Sequence, residues 1–333
     1  MLINNTIKRL YILTVSFALF VSWGCSRHSE TKEKVILKLH QSKDKINDTI
    51  FYSSIYSIEE HNDLFYLSDY DNNRILVLNK NLDLNKIIGH SGKGPGEFKG
   101  VTTIRFIGDT IVAFDDRNRR INLYDLEGNV YGSYSIPINR VGFNRLAVDN
   151  KINIYYTNNY NKKLIVKVNP YEGIIKRFGE KHASILFPVD SLHTQGHLNS
   201  TERGEILYVS FYEPLIEKYS SSGSLIQRKD ISLFIDEEVL EKLRTFNTEN
   251  YKNTGAKSGL FPDAYYKNNK LYVLGLSNKV FEFNVYPTIS FNRILFLGEN
   301  RENKNFLKIC VYKNSIVTVN IRNQKIQEYR FPN

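Results

Sequence analysis

The hydrophobic positions of this chain fall in short runs separated by clusters of Asn, Asp and Gly. Leu64–Ser68, Arg74–Leu78 and Leu82–Ile88 are three such runs, divided by Asp69, Asp71, Asn72 and Asn73 and then by Asn79, Lys80 and Asn81. Short β-rich runs bounded by turn residues predict antiparallel hairpins. The pattern recurs downstream. Placing Asp69 on Asp115 sets Arg74 on Arg120, Ile75 on Ile121 and Leu78 on Tyr124. Each copy reads strand, Asp, polar turn, Arg-Ile, strand, turn, strand.

Further copies follow in order, less regular but recognisable. The first begins near Ser53–Ile58, the second at Ile104–Ile107 and the third at Phe143–Val148. The fourth begins near Thr194–Leu198, the fifth at Ala264–Tyr266 and the sixth at Leu307–Val311. Six copies over roughly 300 residues give about 50 each, the length of a four-stranded blade. The sixth copy has only three strands, and the apolar run Val35–Leu39 has no neighbour in sequence to pair with. Pairing that run into the last blade closes the ring and removes two open edges. The predicted fold is therefore all-β: a six-bladed β-propeller of four-stranded antiparallel blades, closed by an N-terminal strand. One helical insertion is expected near 235–247, where acidic residues 236–238 precede Val239, Leu240, Leu243 and Phe246 on one face.

The repeats carry a family resemblance. The runs SDYDNNRILVLN and FDDRNRRINLYD resemble NHL-type propeller repeats. The connection Gly92-Lys93-Gly94-Pro95-Gly96-Glu97-Phe98 resembles the GxGPGEF segment of six-bladed propeller lipoproteins of Bacteroidota. The close match covers roughly residues 64–136. It implies an exported propeller and specifies no activity.

The N-terminus reads differently from the rest. Lys8 and Arg9 precede Leu10–Val21, an apolar run with the length of a signal-peptide core, too short for a typical spanning helix. Gly24 then precedes Cys25, which resembles a lipobox with Ser22 and Trp23 as departures. The expected organisation is a lipoprotein signal peptide over 1–24, a lipidated Cys25, a polar tether over 25–33 and the propeller over 34–333. The expected address is the cell envelope, as an outer-membrane lipoprotein held by its lipid anchor. Cys310, the other cysteine, sits in an apolar run and is expected to be buried.

Net charge is +10, and removal of residues 1–24 with Lys8 and Arg9 leaves +8. The excess is dispersed, so no nucleic-acid partner is expected, and the chain is expected to be a monomer. The single Trp lies in the signal region, which disfavours WD-repeat, tryptophan-docked quinoprotein and sialidase propellers.

Motifs that suggest chemistry are few. The glycine-rich 89–96 segment lacks phosphate-loop spacing and joins strand to strand, so Gly94, Pro95 and Gly96 are expected to form a structural turn. His193 and His197 stand four apart but Gly196 argues against a helix, leaving an expected loop pair with no role. Asp69, Arg74, Asp115 and Arg120 are expected to cap turns and lock neighbouring blades. Asp116, Arg117, Arg119 and Tyr156 are the ligand-facing candidates, the first three expected to be exposed. Other tyrosines, among them Tyr155, Tyr160, Tyr212, Tyr265 and Tyr266, are further stacking candidates.

No metal set can be assembled, and no cofactor is expected. Two functions stand against each other. One is a binding module for a protein or glycan-related ligand. The other is a propeller hydrolase or lyase, lactonase-like, with a metal at the central channel.

Overall fold

A computed structural model describes residues 33–46, 50–137, 145–157, 163–183, 192–193, 195–254, 258–299, 306–320 and 325–332. The signal peptide, Cys25, most of the tether and Tyr160 lie outside these residues.

Short apolar runs joined by turns rich in Asn, Asp and Gly fold consecutive strands into antiparallel hairpins, and six blades result. Their innermost strands are Ile55–His61, Val101–Ile107, Ala147–Val148, Gly196–Ser200, Asp263–Lys267 and Phe306–Tyr312. Each contacts the inner strand on either side, and Ile55–His61 meets Phe306–Tyr312 to close the ring. Apolar cores lie between adjacent blades. Tyr66, Ile75, Val77, Ile104 and Ile111 fill the space between blades one and two, for example.

The N-terminal strand completes blade six, as its strand count requires, but its bounds differ from expectation. It runs Glu33–Lys43 and pairs with Lys325–Arg330 through Lys38 to Lys43. The pairing is therefore displaced toward the C-terminus from the expected Val35–Leu39. Upstream of the paired stretch, Gly298 donates its amide to the Leu37 carbonyl at 3.0 Å, and blades five and six become one eight-stranded sheet through this strand. Both of its edges are thus used.

The helix, α1 (Glu237–Thr254), is 18 residues long and overruns the expected end. The polar stretch after Phe246 continues because Asn247 is buried and paired twice with Ser258. Its Nδ2 donates to the Ser258 carbonyl at 3.0 Å and its Oδ1 accepts from the Ser258 amide at 2.8 Å. Leu240 and Leu243 pack into the blade-four and blade-five core, whereas Phe246 faces outward.

Candidate functional site: a charged axis and a basic groove

Each inner strand, or in blade three the segment two residues before it, delivers one ionisable side chain to the ring axis. Blade one supplies Glu59, blade two Arg105, blade three Arg145, blade four His197, blade five Asp263 and blade six Lys308. An unpaired charge is costly away from water, so such groups persist only by bonding to each other. Arg145 does most of the joining. Its Nη1 donates to Glu59 Oε1 at 2.5 Å, its Nη2 to Asp263 Oδ2 at 2.6 Å and to the Ile309 carbonyl at 2.7 Å. Its Nε also donates to Asp263, and its guanidinium lies 5.1 Å from the Tyr265 ring centroid. Arg105 donates to the same Glu59 oxygen.

Asp263 is the second hub. Its Oδ2 accepts from the Ile309 amide at 2.9 Å, while Lys308 Nζ and His197 Nδ1 lie 3.6 and 3.7 Å from its Oδ1. His197 Nε2 bonds to the Phe261 carbonyl at 2.9 Å. An acceptor there fixes Nε2 as the protonated nitrogen and leaves Nδ1 bare.

Burial would raise the Asp263 pKa, but Arg145 and Lys308 outweigh it and hold the carboxyl well below its ordinary value. Burial would likewise lower Arg145, and Asp263 and Glu59 reverse that, so it stays charged. For His197 burial wins, with Lys308 adding to it, and its pKa falls to about 3. Burial brings Lys308 down to about 8. At neutral pH the axis therefore holds a neutral imidazole at His197 and an ionised carboxylate at Asp263. Among the described residues, no three His, Cys, Asp or Glu side chains converge closely enough to hold a metal ion.

A large recess lies elsewhere, where the N-terminal strand meets the turns of blades six and one. It encloses about 1060 Å³ and is lined by Lys38, Leu39, Lys80, Lys313, Arg330 and Phe331 among others. Its walls are stitched together. Gln41 Nε2 donates to the Lys80 carbonyl at 2.8 Å and to Glu328 Oε2 at 2.6 Å, and Lys43 pairs with Asp83. Lys313 holds Asp63 at 2.8 Å and Arg330 Nε holds Glu328 at 3.3 Å. Lys38 and Lys80 make no side-chain hydrogen bond or ion pair among the described residues, and the Lys80 charge acts on Asp63. The groove is therefore walled by fixed backbone and keeps two uncommitted ammonium groups.

The residues singled out in the sequence scatter. Asp69 is buried and behaves as a lock: it accepts from Arg74 Nε at 2.8 Å, from the Ser53 amide at 2.9 Å and from Asn72. Asp115 repeats the pattern at the same offset, accepting from the Lys99 amide at 2.8 Å and Asn118 Nδ2 at 2.7 Å. Arg120 departs from it. It is the cross-strand partner of Asp115 in register, yet its Nη1 donates to the Lys93 carbonyl at 2.8 Å and no ion pair with Asp115 forms among the described residues. Asn118 bonds Asp115 as Asn72 bonds Asp69, so the difference between the two copies lies in the arginine, which the Lys93 carbonyl draws away. These ties join each turn to the segment entering its own blade; the expectation that they lock neighbouring blades is corrected.

Gly94, Pro95 and Gly96 do form a closed turn. The Gly94 amide donates to Glu97 Oε2 at 2.6 Å, and a Cβ at Gly92 would stand 2.0 Å from the same oxygen. The loop's own carboxylate occupies the place an anion would take. Gly96 has φ +77° and packs against Val130, which only glycine tolerates there.

Among the ligand candidates, Asp116 is buried, against expectation, because its turn folds back onto the Gly100 carbonyl through the Asp116 amide at 3.0 Å. Arg117 is exposed and lies 4.9 Å from the Tyr70 ring centroid, and Tyr70 stacks on Tyr56 at 4.4 Å. Arg119 is exposed and has φ +52°, the position Asn73 fills in blade one with φ +55°. Tyr156 is core, its hydroxyl donating to the Pro137 carbonyl at 3.3 Å. Tyr155, Tyr212 and Tyr265 are buried as well. Cys310 is buried as expected.

His197 is not a loop residue: it lies on the inner strand of blade four and faces Asp263. The side chain of His193 lies outside the described residues. Sequence reasoning missed Glu59, Arg105, Arg145, Asp263 and Lys308 altogether. The signal for them was one charge inside or beside the apolar first strand of each copy, visible only when the six are stacked.

Three-dimensional comparison places the chain among known propellers. A Bacteroides fragilis protein named as exported superposes with TM-score 0.58 at 13% identity, covering 90% of this chain and 100% of that one. Virginiamycin B lyase from Staphylococcus aureus gives TM-score 0.50 at 13% identity, over 84% and 80% of the two chains. A catalytically inactive variant of that lyase, with quinupristin, gives 0.51 at 12% identity, over the same shares. At such identities the likeness is one of fold. No curated protein matches the sequence. No described helix is long and apolar enough to cross a membrane. The family model described as 6-bladed beta-propeller, DUF5128, matches residues 45–288, and the chain belongs to that family.

Proposed function

We propose that this protein is an exported, lipid-anchored propeller that works as a binding module for a protein or glycan-related ligand, seated in the groove beside the closing strand. The observation that carries this reading is the state of the axis. Glu59 and Asp263, the carboxylates a channel enzyme would use, are engaged by Arg105 and Arg145. The groove, by contrast, offers volume and uncommitted cations on a fixed frame. The sequence features of export and lipidation at Cys25 support the address, as does the fold shared with a Bacteroides protein named as exported.

The lyase-like alternative draws on the fold shared with virginiamycin B lyase. It requires Arg145 to release Asp263 and Glu59 to a metal. Hydrogen exchange on the full chain, with fractionated envelope glycans and proteins and separately with divalent metals, decides between the two. Ligand-dependent protection of residues 38–43, 79–83 and 312–315 supports the binding module. Protection confined to the inner strands on adding metal supports the enzyme.

A further inference from the structure

The groove's chemistry narrows its ligand. Four cationic side chains line it, Lys38, Lys80, Lys313 and Arg330, against one carboxylate, Glu328. Two of the four are already paired with Asp63 and Glu328, so the field that faces an incoming ligand comes from Lys38 and from Lys80, whose charge also acts on Asp63. Charge alone would admit any anion. At about 1060 Å³ the recess has room for a ligand much larger than an inorganic ion.

The remaining lining is mixed. Leu39 is half exposed, and Phe331 and Pro332 add further apolar surface, while Asn81 and Asn314 supply neutral donors and acceptors. Apolar faces beside amides suit a sugar ring, whose C–H face is apolar and whose hydroxyls need polar partners. A peptide added as an extended strand is disfavoured, because the closing strand already pairs with Lys325–Arg330 along Lys38–Lys43 and is tied to blade five at Leu37. We infer that the groove binds an acidic oligosaccharide, its carboxylates against Lys38 and Lys80 and its ring faces against Leu39 and Pro332. This rests on the binding-module reading and names its ligand class.

The closing strand thereby serves two ends. Lys38 and Leu39 belong to the strand that completes blade six, and Gln41 on the same strand fixes the Lys80 turn. Ring closure and groove assembly are a single event.

Titration calorimetry on the full chain tests the inference with three probes: a pentameric oligogalacturonate, a neutral galactan oligomer of equal length, and vesicles containing phosphatidylglycerol. The expected result is binding of the oligogalacturonate alone, weakened by added salt and by about tenfold or more in Lys38→Glu and in Lys80→Glu. Both changes are at exposed positions, and unchanged melting temperatures show that the variants fold. Equal binding of the neutral oligomer would overturn the acidic class while leaving a glycan-binding module intact. Binding indifferent to both substitutions would remove it from the groove. Preferential binding of the vesicles, or no binding to any probe, would overturn the inference; ligand-dependent protection in the exchange experiment above would then still uphold the module itself.

Discussion

Arg145 of blade three bonds to Asp263 of blade five, 118 residues further along the chain, with Nη2 2.6 Å from Oδ2. The same guanidinium holds Glu59 of blade one at 2.5 Å. Three blades that share no hydrogen-bonded sheet are thus pinned together at the axis.

Removing the pin leaves two carboxylates facing a buried site. Arg145→Met should destabilise the protein by about 3–5 kcal/mol, because it strips Glu59 and Asp263 of their shared partner and leaves only Arg105 and Lys308 beside them. Converting Glu59 and Asp263 to Gln and Asn in the same chain should recover part of that loss. Chemical denaturation of the single and triple variants measures both effects.

The axis also sets a pH profile. An unfolded histidine takes up its proton near 6.5, whereas His197 in the fold resists down to about 3. The unfolded state thus binds more protons across that window, and stability falls as pH drops from 6.5. Asp263, held below its ordinary 3.8, adds a second loss below that value. Lys308 works at the other end: the fold releases its proton near 8 and the unfolded chain near 10.5, so stability rises over that interval. Melting temperature against pH should show these slopes. His197→Gln should flatten the one just below pH 6.5, and an unchanged slope would place it in other groups.

Ring closure gives a third expectation. Deleting residues 33–43 removes the outer strand of blade six, its bridge to blade five and one wall of the groove. An open edge invites pairing between molecules. The truncated chain should lose about 4 kcal/mol or more and associate, read by thermal unfolding and by light scattering. A monomer of unchanged melting temperature would show the strand to be dispensable.

The two turns should respond unequally. Arg74→Ala strips an ion pair from buried Asp69 and should cost about 1–3 kcal/mol. Arg120→Ala removes a bond to the Lys93 carbonyl and leaves Asp115 capped by Asn118, so about 1 kcal/mol or less is expected. Equal melting shifts would mean that Asp115 draws on Arg120 after all.

Much of the fold was legible because hairpins write themselves in short apolar runs and turn residues. Asp69 and Asp115 marked equivalent positions, and the odd strand count pointed to closure. The closing register was not legible. It runs through Gln41, Ser42 and Lys43, whose pairing is made by main-chain hydrogen bonds that leave no mark on side-chain type. The axis escaped for another reason. One Arg or Glu beside an apolar strand is commonplace, and the bonds that join Glu59, Arg145 and Asp263 span three blades. The exposed turn charges were easier to see, but Asp116 lies buried and Tyr156 is spent on core packing.

In this account the axis holds the fold and the groove holds the ligand. Thermal unfolding of Asp263→Ala tests that division most directly, since the carboxylate faces Arg145, Lys308 and His197 together. A fall in melting temperature of roughly 10 °C or more is predicted. An unchanged melting temperature, with ligand or metal binding abolished, would contradict the division and make the axis the working site.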